Sequence, residues 1–223
     1  MYWENKYKNN GRIWGEGPSE LATAAVEYLR KSKLNNEILN ILDIGCGYGR
    51  DAFYFQENLK CRILGIDTSE KAIDIASNAV PEAQKENMKF QVCDFKELKE
   101  GKYDIVFISN LYQLLKNNER RELRKAVMRS LKPNGMLFLS TFSVSDPEHY
   151  GKGVPVSGEP NSFQDDKYLH FCTREELLED FAFLKIKELY EHEYDEPRAT
   201  GEVHHHVLWI FIGEHIGTPH NTS

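Results

Sequence analysis

Three glycines at alternate positions follow an apolar run that ends in an acid. The stretch ILDIGCGYGR places Gly45, Gly47 and Gly49 directly after Asp43 and Ile44. Glycines at such a point let the backbone turn tightly and approach a ligand with no Cβ in between. The helical pattern that follows, GRDAFYFQENL, would aim its first amide N–H groups at the same place. The stretch therefore predicts a strand, a ligand-binding turn and a helix.

Strand-like and helix-like patterns alternate along the chain around this turn. The helical patterns include SEKAIDIASNAV, for which Ser69 is a suitable N-cap, and NERRELRKAVMRSL, whose interspersed charges indicate a solvated face. The predicted strands are EILNILDI, CRILGID, MKFQVCDF, YDIVFISNL and GMLFLSTF. Such alternation implies parallel strands joined by right-handed crossovers, and the apolar central strands indicate a sheet covered on both faces.

The pattern changes after Thr141. The stretch SVSDPEHYGKGVPVSGEPNSFQDDKY is rich in Gly, Pro, Ser and Asp, and a structureless stretch of this length is typical of a functional lid or a disordered insert. TREELLEDF predicts a helix, because Thr173 and Glu176 have the capping-box spacing. AFLKIKELYEHEY and VHHHVLWIFIGE predict an antiparallel hairpin at one end of the sheet.

Composition narrows the class of protein. The chain has 223 residues, of which 40% are hydrophobic, enough for one domain with a sizeable core. A formal net charge of −7 disfavours a nucleic-acid partner. With no apolar run long enough for a bilayer and no signal-like N-terminus, we expect no membrane association. The four cysteines form no CxxC pair, so we expect reduced thiols in the cytoplasm. The sequence does not indicate an oligomeric state.

The spacing of the acids and glycines indicates which ligand the turn binds. Asp67 ends the second predicted strand, where an acid commonly accepts hydrogen bonds from both hydroxyls of a ribose. NAD and S-adenosylmethionine both carry such a ribose. The spacing here is G-x-G-x-G instead of the G-x-G-x-x-G of NAD sites, and Asp43 would repel a phosphate. A carboxylate at this point suits a ligand that carries an ammonium and a cationic sulfur.

Five segments, in their order and spacing, identify a family that this chain resembles. LDIGCGYGR, GIDTS, VCDF, YDIVFISNLY and LKPNGMLFLSTF resemble the signature segments of class I S-adenosylmethionine-dependent methyltransferases, over residues 38–142. The resemblance implies an α/β fold with a Rossmann-like, doubly wound, seven-stranded mixed sheet of order 3-2-1-4-5-7-6 whose last strand is antiparallel. The flanks, W…GPS and FCTREEL, resemble the small-molecule branch that includes tellurite-resistance methyltransferases.

The resemblance also implies the cofactor-binding residues. In the family, the glycine loop holds the methionine part of S-adenosylmethionine, the acid after the second strand holds the ribose, and the acid after the third strand lies by the adenine. The end of the fourth strand borders the active centre. The residues carried over, with an aromatic residue of the N-terminal arm, are Trp14, Asp43, Gly45, Cys46, Gly47, Tyr48, Gly49, Asp67, Thr68, Ser69, Cys93, Asp94, Phe95, Asn110, Leu111 and Tyr112.

Methyl transfer from a sulfonium is an in-line displacement for which the protein supplies alignment. A soft acceptor, such as a thiolate or a selenium or tellurium oxyanion, needs no strong general base. Tyr7, Trp14, Tyr48 and Tyr112 either form an aromatic wall near the sulfonium or pack the N-terminal segment onto the sheet. The catalytic candidates are Tyr112, His170 and His206.

Several histidines and arginines allow more than one interpretation. His204 and His206 share one face of a strand and His205 the other, so the pair could line a pocket, bind a metal or be ordinary strand residues. We expect no metal. His149 and His170 bracket the segment after Thr141 and could reach a substrate when a lid closes, or be solvated. Two arginines, Arg50 and Arg174, are possible anion contacts or members of solvated helix faces.

These observations predict a single methyltransferase domain. Its parts are an N-terminal arm and helix (1–35), a cofactor-binding core (36–142), a lid-like insert (143–170), a C-terminal helix and β-hairpin (171–215) and a frayed tail (216–223). The predicted function is methyl transfer from S-adenosylmethionine to a small-molecule acceptor. The alternatives are a methyltransferase acting on a protein or tRNA, a non-catalytic S-adenosylmethionine-binding regulator, and an NAD-dependent dehydrogenase, which the glycine spacing disfavours.

Overall fold

The computed structural model describes residues 2–32, 37–98, 101, 103–197 and 203–217. The predicted tail (216–223) lies outside these residues apart from its first two positions. In chain order the strands are β1 (Leu39–Ile44), β2 (Cys61–Asp67), β3 (Met88–Val92), β4 (Tyr103–Ser109), β5 (Leu131–Phe142), β6 (Val154–Pro155), β7 (Ser162–Gln164), β8 (Tyr168–His170), β9 (Leu184–Pro197) and β10 (Val203–His215).

The central sheet has seven strands in the order β3-β2-β1-β4-β5-β10-β9. Strands β1 to β5 run parallel to one another, whereas β10 is antiparallel to both β5 and β9. Numbered among themselves along the chain, these seven strands have the order 3-2-1-4-5-7-6. The predicted α/β class, strand order and antiparallel last strand are therefore confirmed.

Six helices flank the strands in the described residues: α1 (Tyr2–Asn10), α2 (Glu20–Lys31), α3 (Arg50–Asn58), α4 (Glu70–Ala79), α5 (Asn117–Ser130) and α6 (Arg174–Asp180). Two of them begin at the predicted caps. Ser69 Oγ accepts a hydrogen bond from the amide of Ala72 at 3.1 Å, and Thr173 Oγ1 accepts one from Glu176 at 3.2 Å. Within the described part of the chain, none of these helices is long and apolar enough to cross a membrane.

Apolar side chains cover both faces of the sheet, as the continuous apolar strands predict. Strand β10 shows the division clearly, because its successive residues point to opposite faces. Leu208, Ile210 and Ile212 pack with the buried residues of α2 and α3, while Trp209 and Phe211 pack with those of α5 and α6. The resulting core holds the carboxyl ends of β1, β2 and β4 in fixed positions.

Residues 143–170 contain regular structure that the sequence pattern did not reveal. Strands β6, β7 and β8 pair as a small antiparallel sheet. Leu169 and Phe171 are buried in a cluster with Phe142 at the end of β5. The expectation of a structureless stretch is thus wrong for this segment. Its strands have only two or three residues each, which is too short to produce a recognisable periodicity in the sequence.

Candidate active site

A cavity of about 340 Å³ lies at the carboxyl ends of the parallel strands, beside the point between β1 and β4 where the strand order reverses. This is where open α/β sheets bind their ligands. Most of the predicted cofactor residues line it: Trp14, Asp43, Gly45, Cys46, Gly47, Tyr48, Asp67, Thr68, Cys93, Asp94, Phe95, Asn110 and Leu111.

The glycine loop needs glycine for both its backbone conformation and its packing. Gly45, Gly47 and Gly49 have φ values of 78°, 54° and 81°, a region that favours glycine. A Cβ on Gly47 would lie 2.7 Å from Tyr7 Oη, and one on Gly49 would lie 2.7 Å from a ring carbon of Phe90. The loop can therefore bring its backbone close to a ligand only with these residues in place.

Asp43 is an almost fully buried acid in the cavity wall. Its side chain is 2% exposed, and in the described structure its Oδ2 atom has no hydrogen-bond partner. Burial, and then the nearby carboxylates of Asp51 and Asp67, raise its pKa well above the ordinary value. A buried carboxyl oxygen without a partner costs free energy, which a cationic ligand group would recover. In its ionised form, which a nearby cation would favour, Asp43 thus suits the ammonium and sulfonium of S-adenosylmethionine and would repel a phosphate.

Asp67 is held by backbone amides at the end of β2. Its Oδ2 accepts a hydrogen bond from Gly47 N at 2.9 Å, and its Oδ1 accepts one from Ser69 N at 2.9 Å. Burial raises its pKa, and these hydrogen bonds oppose the rise. Since each carboxylate oxygen can accept more than one bond, Asp67 keeps capacity for the hydroxyls of a ribose.

Two predicted cofactor residues serve the scaffold of the cavity without lining it. Gly49 is the N-cap of α3 and lies against Phe90. Ser69 caps α4, and its hydroxyl donates a hydrogen bond of 2.6 Å to Glu4 of α1. These residues fix the position of the loop and of the N-terminal arm.

The structure places Tyr112 away from the cavity, which contradicts its predicted contact with the active centre. It is fully buried in the core; its hydroxyl donates to the Asp180 carboxylate and accepts from Arg124 Nη1. The chain enters a short 3₁₀ turn at Tyr112–Leu114 after β4. This turn points Tyr112 into the core and brings Gln113 and Leu114 to the cavity instead.

The two predicted catalytic histidines also lie outside the cavity. In β8, Leu169 lines the cavity and His170 faces away, because neighbouring residues of a strand point to opposite sides. His170 Nδ1 lies 2.9 Å from Ser162 Oγ, and its Nε2 lies 2.7 Å from Glu176. His206 is separated from the cavity by the ring of Phe142, whose centroid lies 5.7 Å from that of His206.

Of the four aromatic residues considered for a wall or for packing, three line the cavity, and two of these also pack together. Tyr7, Trp14 and Tyr48 line the cavity. Tyr48 also fixes the arm, because its hydroxyl donates to Gly15 O at 2.6 Å and accepts from Trp14 N at 3.1 Å. Of the two arginines considered, Arg50 lines the cavity and donates to the carbonyl of Trp14, whereas Arg174 is not among the lining residues.

Several lining residues escaped the sequence analysis. Ser109 and Gln113 each have a buried side-chain oxygen without a hydrogen-bond partner in the described structure. Their polarity next to an apolar strand is the signal that would have found them. Lys167 and Trp3 had no such signal, since they meet only in three dimensions: the Lys167 ammonium lies 5.6 Å from the centroid of the Trp3 ring. Three apolar residues, Leu114, Phe142 and Leu169, also line the cavity.

The fold and the cavity define an α/β protein with a ligand-sized cavity at the switch point of its sheet. Residues 41–135 match the protein family described as a methyltransferase domain. The chain is 28% identical over 163 residues to malonyl-[acyl-carrier protein] O-methyltransferase 2 of Ilyobacter polytropus, which covers 66% of this chain and 61% of that protein. The chain spans less than two thirds of the length of the curated relatives it matches first.

Solved structures share the fold. A protein studied for the conversion of a disulfide bond into a thioacetal group during echinomycin biosynthesis superposes with a TM-score of 0.71 at 20% identity, over 97% of this chain and 92% of that one. TehB from Haemophilus influenzae superposes with a TM-score of 0.65 at 14% identity, over 95% and 66% of the two chains.

Residues 41–135 thus match a methyltransferase domain, and the strand order is the one that the resemblance noted in the sequence predicts. The match supports the resemblance noted in the sequence over these residues. The residues of the cavity fit the predicted cofactor, S-adenosylmethionine: a glycine loop that a Cβ would obstruct, the Asp43 Oδ2 atom that has no hydrogen-bond partner in the described structure, and Asp67 at the end of β2.

Proposed function

We propose that the protein transfers the methyl group of S-adenosylmethionine to a small-molecule acceptor. One observation carries the proposal: the glycine loop and the residues of the arm and of segment 143–170 line the same cavity. A methyl donor held by the loop and an acceptor enclosed by the other wall would therefore meet. The approach of Lys167 to Trp3 across this wall favours a small acceptor over a macromolecular one.

In the part of the cavity formed by the glycine loop and the ends of β2 and β3, which we call the cofactor half, each side chain has a proposed role. The Asp43 carboxyl would hold the ammonium, Asp67 would accept hydrogen bonds from the ribose hydroxyls, and Asp94 with Phe95 would flank the adenine. The bound cofactor supplies a methyl group on a cationic sulfur. Alignment of that group with the acceptor can lower the barrier by about 7–11 kcal/mol.

The acceptor half combines apolar walls with amide groups. Leu114, Phe142 and Leu169 exclude water, while Gln113 Oε1 is free to accept a hydrogen bond from an acceptor. Gln113 Nε2 lies 3.3 Å from Asn110 Oδ1, which fixes its orientation. No histidine is among the lining residues that the structure describes. Such a wall suits an acceptor that is nucleophilic without a strong base, and we propose a thiol or a chalcogen oxyanion.

The curated relatives do not agree on an acceptor. Their names include an enzyme acting on phosphoethanolamine nitrogen and one acting on a malonyl-[acyl-carrier protein] oxygen. The acceptor of this chain is therefore inferred from its own cavity. We further propose that segment 143–170 and the arm close over the acceptor as a lid.

Two assays in sequence test the proposal. Calorimetric titration with S-adenosylmethionine and S-adenosylhomocysteine should show micromolar binding of both. Formation of S-adenosylhomocysteine should then rise with small thiols or with selenite and tellurite, and much less with alcohols or amines of matched size. Binding without turnover over this whole panel would favour the regulatory alternative. Turnover of amines or alcohols alone would contradict the proposed acceptor class.

Two variants distinguish the roles of the neighbouring residues Tyr112 and Gln113. Gln113→Leu should raise the acceptor KM about 5–100-fold because it removes the orienting amide, and it should leave the cofactor Kd unchanged. Tyr112→Phe should leave kcat and the acceptor KM within about twofold of the parent protein and lower only stability, because its hydroxyl bonds to the scaffold. A large fall in kcat for Tyr112→Phe would restore the sequence-based assignment.

A further inference from the structure

A cluster of two histidines and an aspartate lies behind Phe142, outside the cavity. Asp146 and His149 belong to the first turn of segment 143–170, and His206 belongs to β10. One donor atom from each of these three residues lies within 4.8 Å of the other two. We propose that this cluster binds a divalent transition-metal ion of the Zn²⁺ type, which fastens the base of segment 143–170 to the central sheet.

The distances within the cluster approach those of a tetrahedral zinc site. Asp146 Oδ2 lies 3.1 Å from His206 Nδ1, and Asp146 Oδ1 lies 3.7 Å from His149 Nδ1. Ligand atoms of a tetrahedral Zn²⁺ stand roughly 3.4 Å apart, given metal–ligand bonds of about 2.0–2.2 Å. Small side-chain rotations would bring the three atoms to one ion and leave a fourth position for water or another ligand.

One donor atom of the cluster lacks a hydrogen bond. His149 Nδ1 is buried and has no hydrogen-bond partner in the described structure, its nearest carboxylate oxygen being Asp146 Oδ1 at 3.7 Å. The ring of His149 also lies flat against Phe142, with 5.5 Å between their centroids. A metal ion between this nitrogen, the Asp146 carboxylate and the His206 imidazole would satisfy the buried nitrogen.

The backbone pre-organises the carboxylate. Asp146 is 1% exposed; its Oδ1 accepts a hydrogen bond from His149 N at 2.7 Å, and its Oδ2 accepts one from Val207 N at 3.0 Å. These bonds link the segment to β10 and fix the orientation of Asp146 before any ion binds. Ligands held in this way suit a site built for one geometry.

His206 has the outer partner typical of a metal-bound histidine. Its Nδ1 faces Asp146, and its Nε2 lies 3.3 Å from Glu196 of the neighbouring strand. A carboxylate on the far nitrogen of an imidazole fixes the tautomer and strengthens the metal bond. In this arrangement Nδ1 binds the ion, and Nε2 keeps its proton and donates a hydrogen bond to Glu196.

A second cluster of donors is less suited to a cation. It consists of His170, Cys172 and Glu176. Glu176 already faces the guanidinium of Arg120 at 3.7 Å. The charge of Arg120 would oppose an ion there. The cluster around His206 therefore carries the proposal, which does not depend on the acceptor proposed above.

The experiment measures metal binding on the intact chain. Protein stripped with a chelator is titrated with Zn²⁺ alone and, in parallel, with Co²⁺, whose visible absorption reports a tetrahedral site. The expected result is one ion per chain, an intense Co²⁺ absorption, and a rise of the melting temperature with Zn²⁺. Retention of less than one ion per chain, or an octahedral Co²⁺ spectrum, would overturn the proposal.

Matched variants show whether the cluster is responsible. His149→Gln should weaken Zn²⁺ binding at least 10-fold; its side chain is 26% exposed, so the variant should fold. Glu196→Gln should weaken it roughly 10–100-fold through the outer partner. His205→Gln is the control, because this neighbour of His206 faces away and pairs with Asp195 at 2.9 Å. Equal loss in His205→Gln, or no loss in His149→Gln, would assign the binding to surface histidines and contradict the proposal.

Discussion

The two halves of the cavity are built in different ways. The half proposed to bind the cofactor consists of short runs that directly follow strands, such as the glycine loop after β1 and Asp67 with Thr68 at the end of β2. The half proposed to bind the acceptor brings together Trp3, Gln113 and Lys167, which lie far apart in the chain. The first half can be recognised from local patterns, whereas the second exists only after folding. Variants of the two halves should accordingly affect different ligands.

The largest effect is expected for Gly47→Ala in the cofactor half. The substitution strains a backbone with φ of 54° and places a methyl group 2.7 Å from Tyr7 Oη. The positive φ costs roughly 1–2 kcal/mol of stability in a residue with a Cβ. Because relief of the contact with Tyr7 would also shift a loop that lines the cavity, we expect S-adenosylhomocysteine affinity to fall at least about 10-fold, or about 1.4 kcal/mol. Calorimetry measures the change.

Gly151→Ala is the matched control for this variant. Gly151 has φ of 78° and nothing within 4 Å of an added Cβ, and it lies outside the cavity. It should lose stability without losing cofactor affinity. Equal affinities for Gly47→Ala and the parent protein would show that the loop does not approach the ligand.

Asp67→Ala should weaken cofactor binding by about 1–3 kcal/mol, because the ribose hydroxyls would lose a charged acceptor. The acceptor KM should change little, which separates the two halves. Asp74→Ala, at an exposed position of α4, is the control. An unchanged affinity in a folded Asp67→Ala variant would remove this residue from the site.

Asp43→Asn should raise the stability of the free protein near neutral pH and lower its affinity for S-adenosylmethionine. Burial, followed by Asp51 and Asp67, raises the pKa of Asp43 well above its ordinary value. The folded protein therefore binds this proton more tightly than the unfolded chain, whose Asp pKa is about 3.9. Its stability consequently falls as pH rises from about 4 through the raised pKa.

Melting temperatures measured from pH 4 to pH 8 test this expectation. Asp43→Asn should flatten the decline and be more stable than the parent near neutral pH, while its affinity for S-adenosylmethionine falls. Asp51 and Asp67 also have raised pKa values, so some decline should remain. Identical pH slopes for the two proteins would mean that Asp43 is not strained in the free state.

The smallest effect is expected for Lys167→Met in the acceptor half. It removes the ammonium that lies 5.6 Å from the Trp3 ring, a contact worth about 0.5–1 kcal/mol. The acceptor KM should rise about twofold to fivefold, with cofactor Kd unchanged. Lys152→Met is the control, since Lys152 pairs with Glu148 at 3.1 Å and does not line the cavity. A change in cofactor Kd alone would reverse the assignment of the two halves.

Local signals account for the parts that sequence analysis predicted. The alternation of strands and helices, and the caps Ser69 and Thr173, depend on neighbouring residues and are therefore visible in the sequence. The strand order came from the resemblance to a family, since pairing between distant strands leaves no local trace. Tyr112 shows where a position carried over from a family resemblance fails: the 3₁₀ turn after β4 decides which of Tyr112 and Gln113 reaches the cavity.

By itself, the sequence determined the α/β class, the glycine loop with Asp43 and Asp67, and the cofactor. Each rests on residues that are adjacent or that follow a strand, and whose chemistry does not depend on distant partners. Only the tertiary structure decided the acceptor wall, the order within residues 143–170 and the grouping of Asp146, His149 and His206. These features join segments that are distant in the sequence and that meet because apolar side chains are buried on folding. Since hydrophobic burial is non-directional, the sequence does not reveal which distant residues will contact each other.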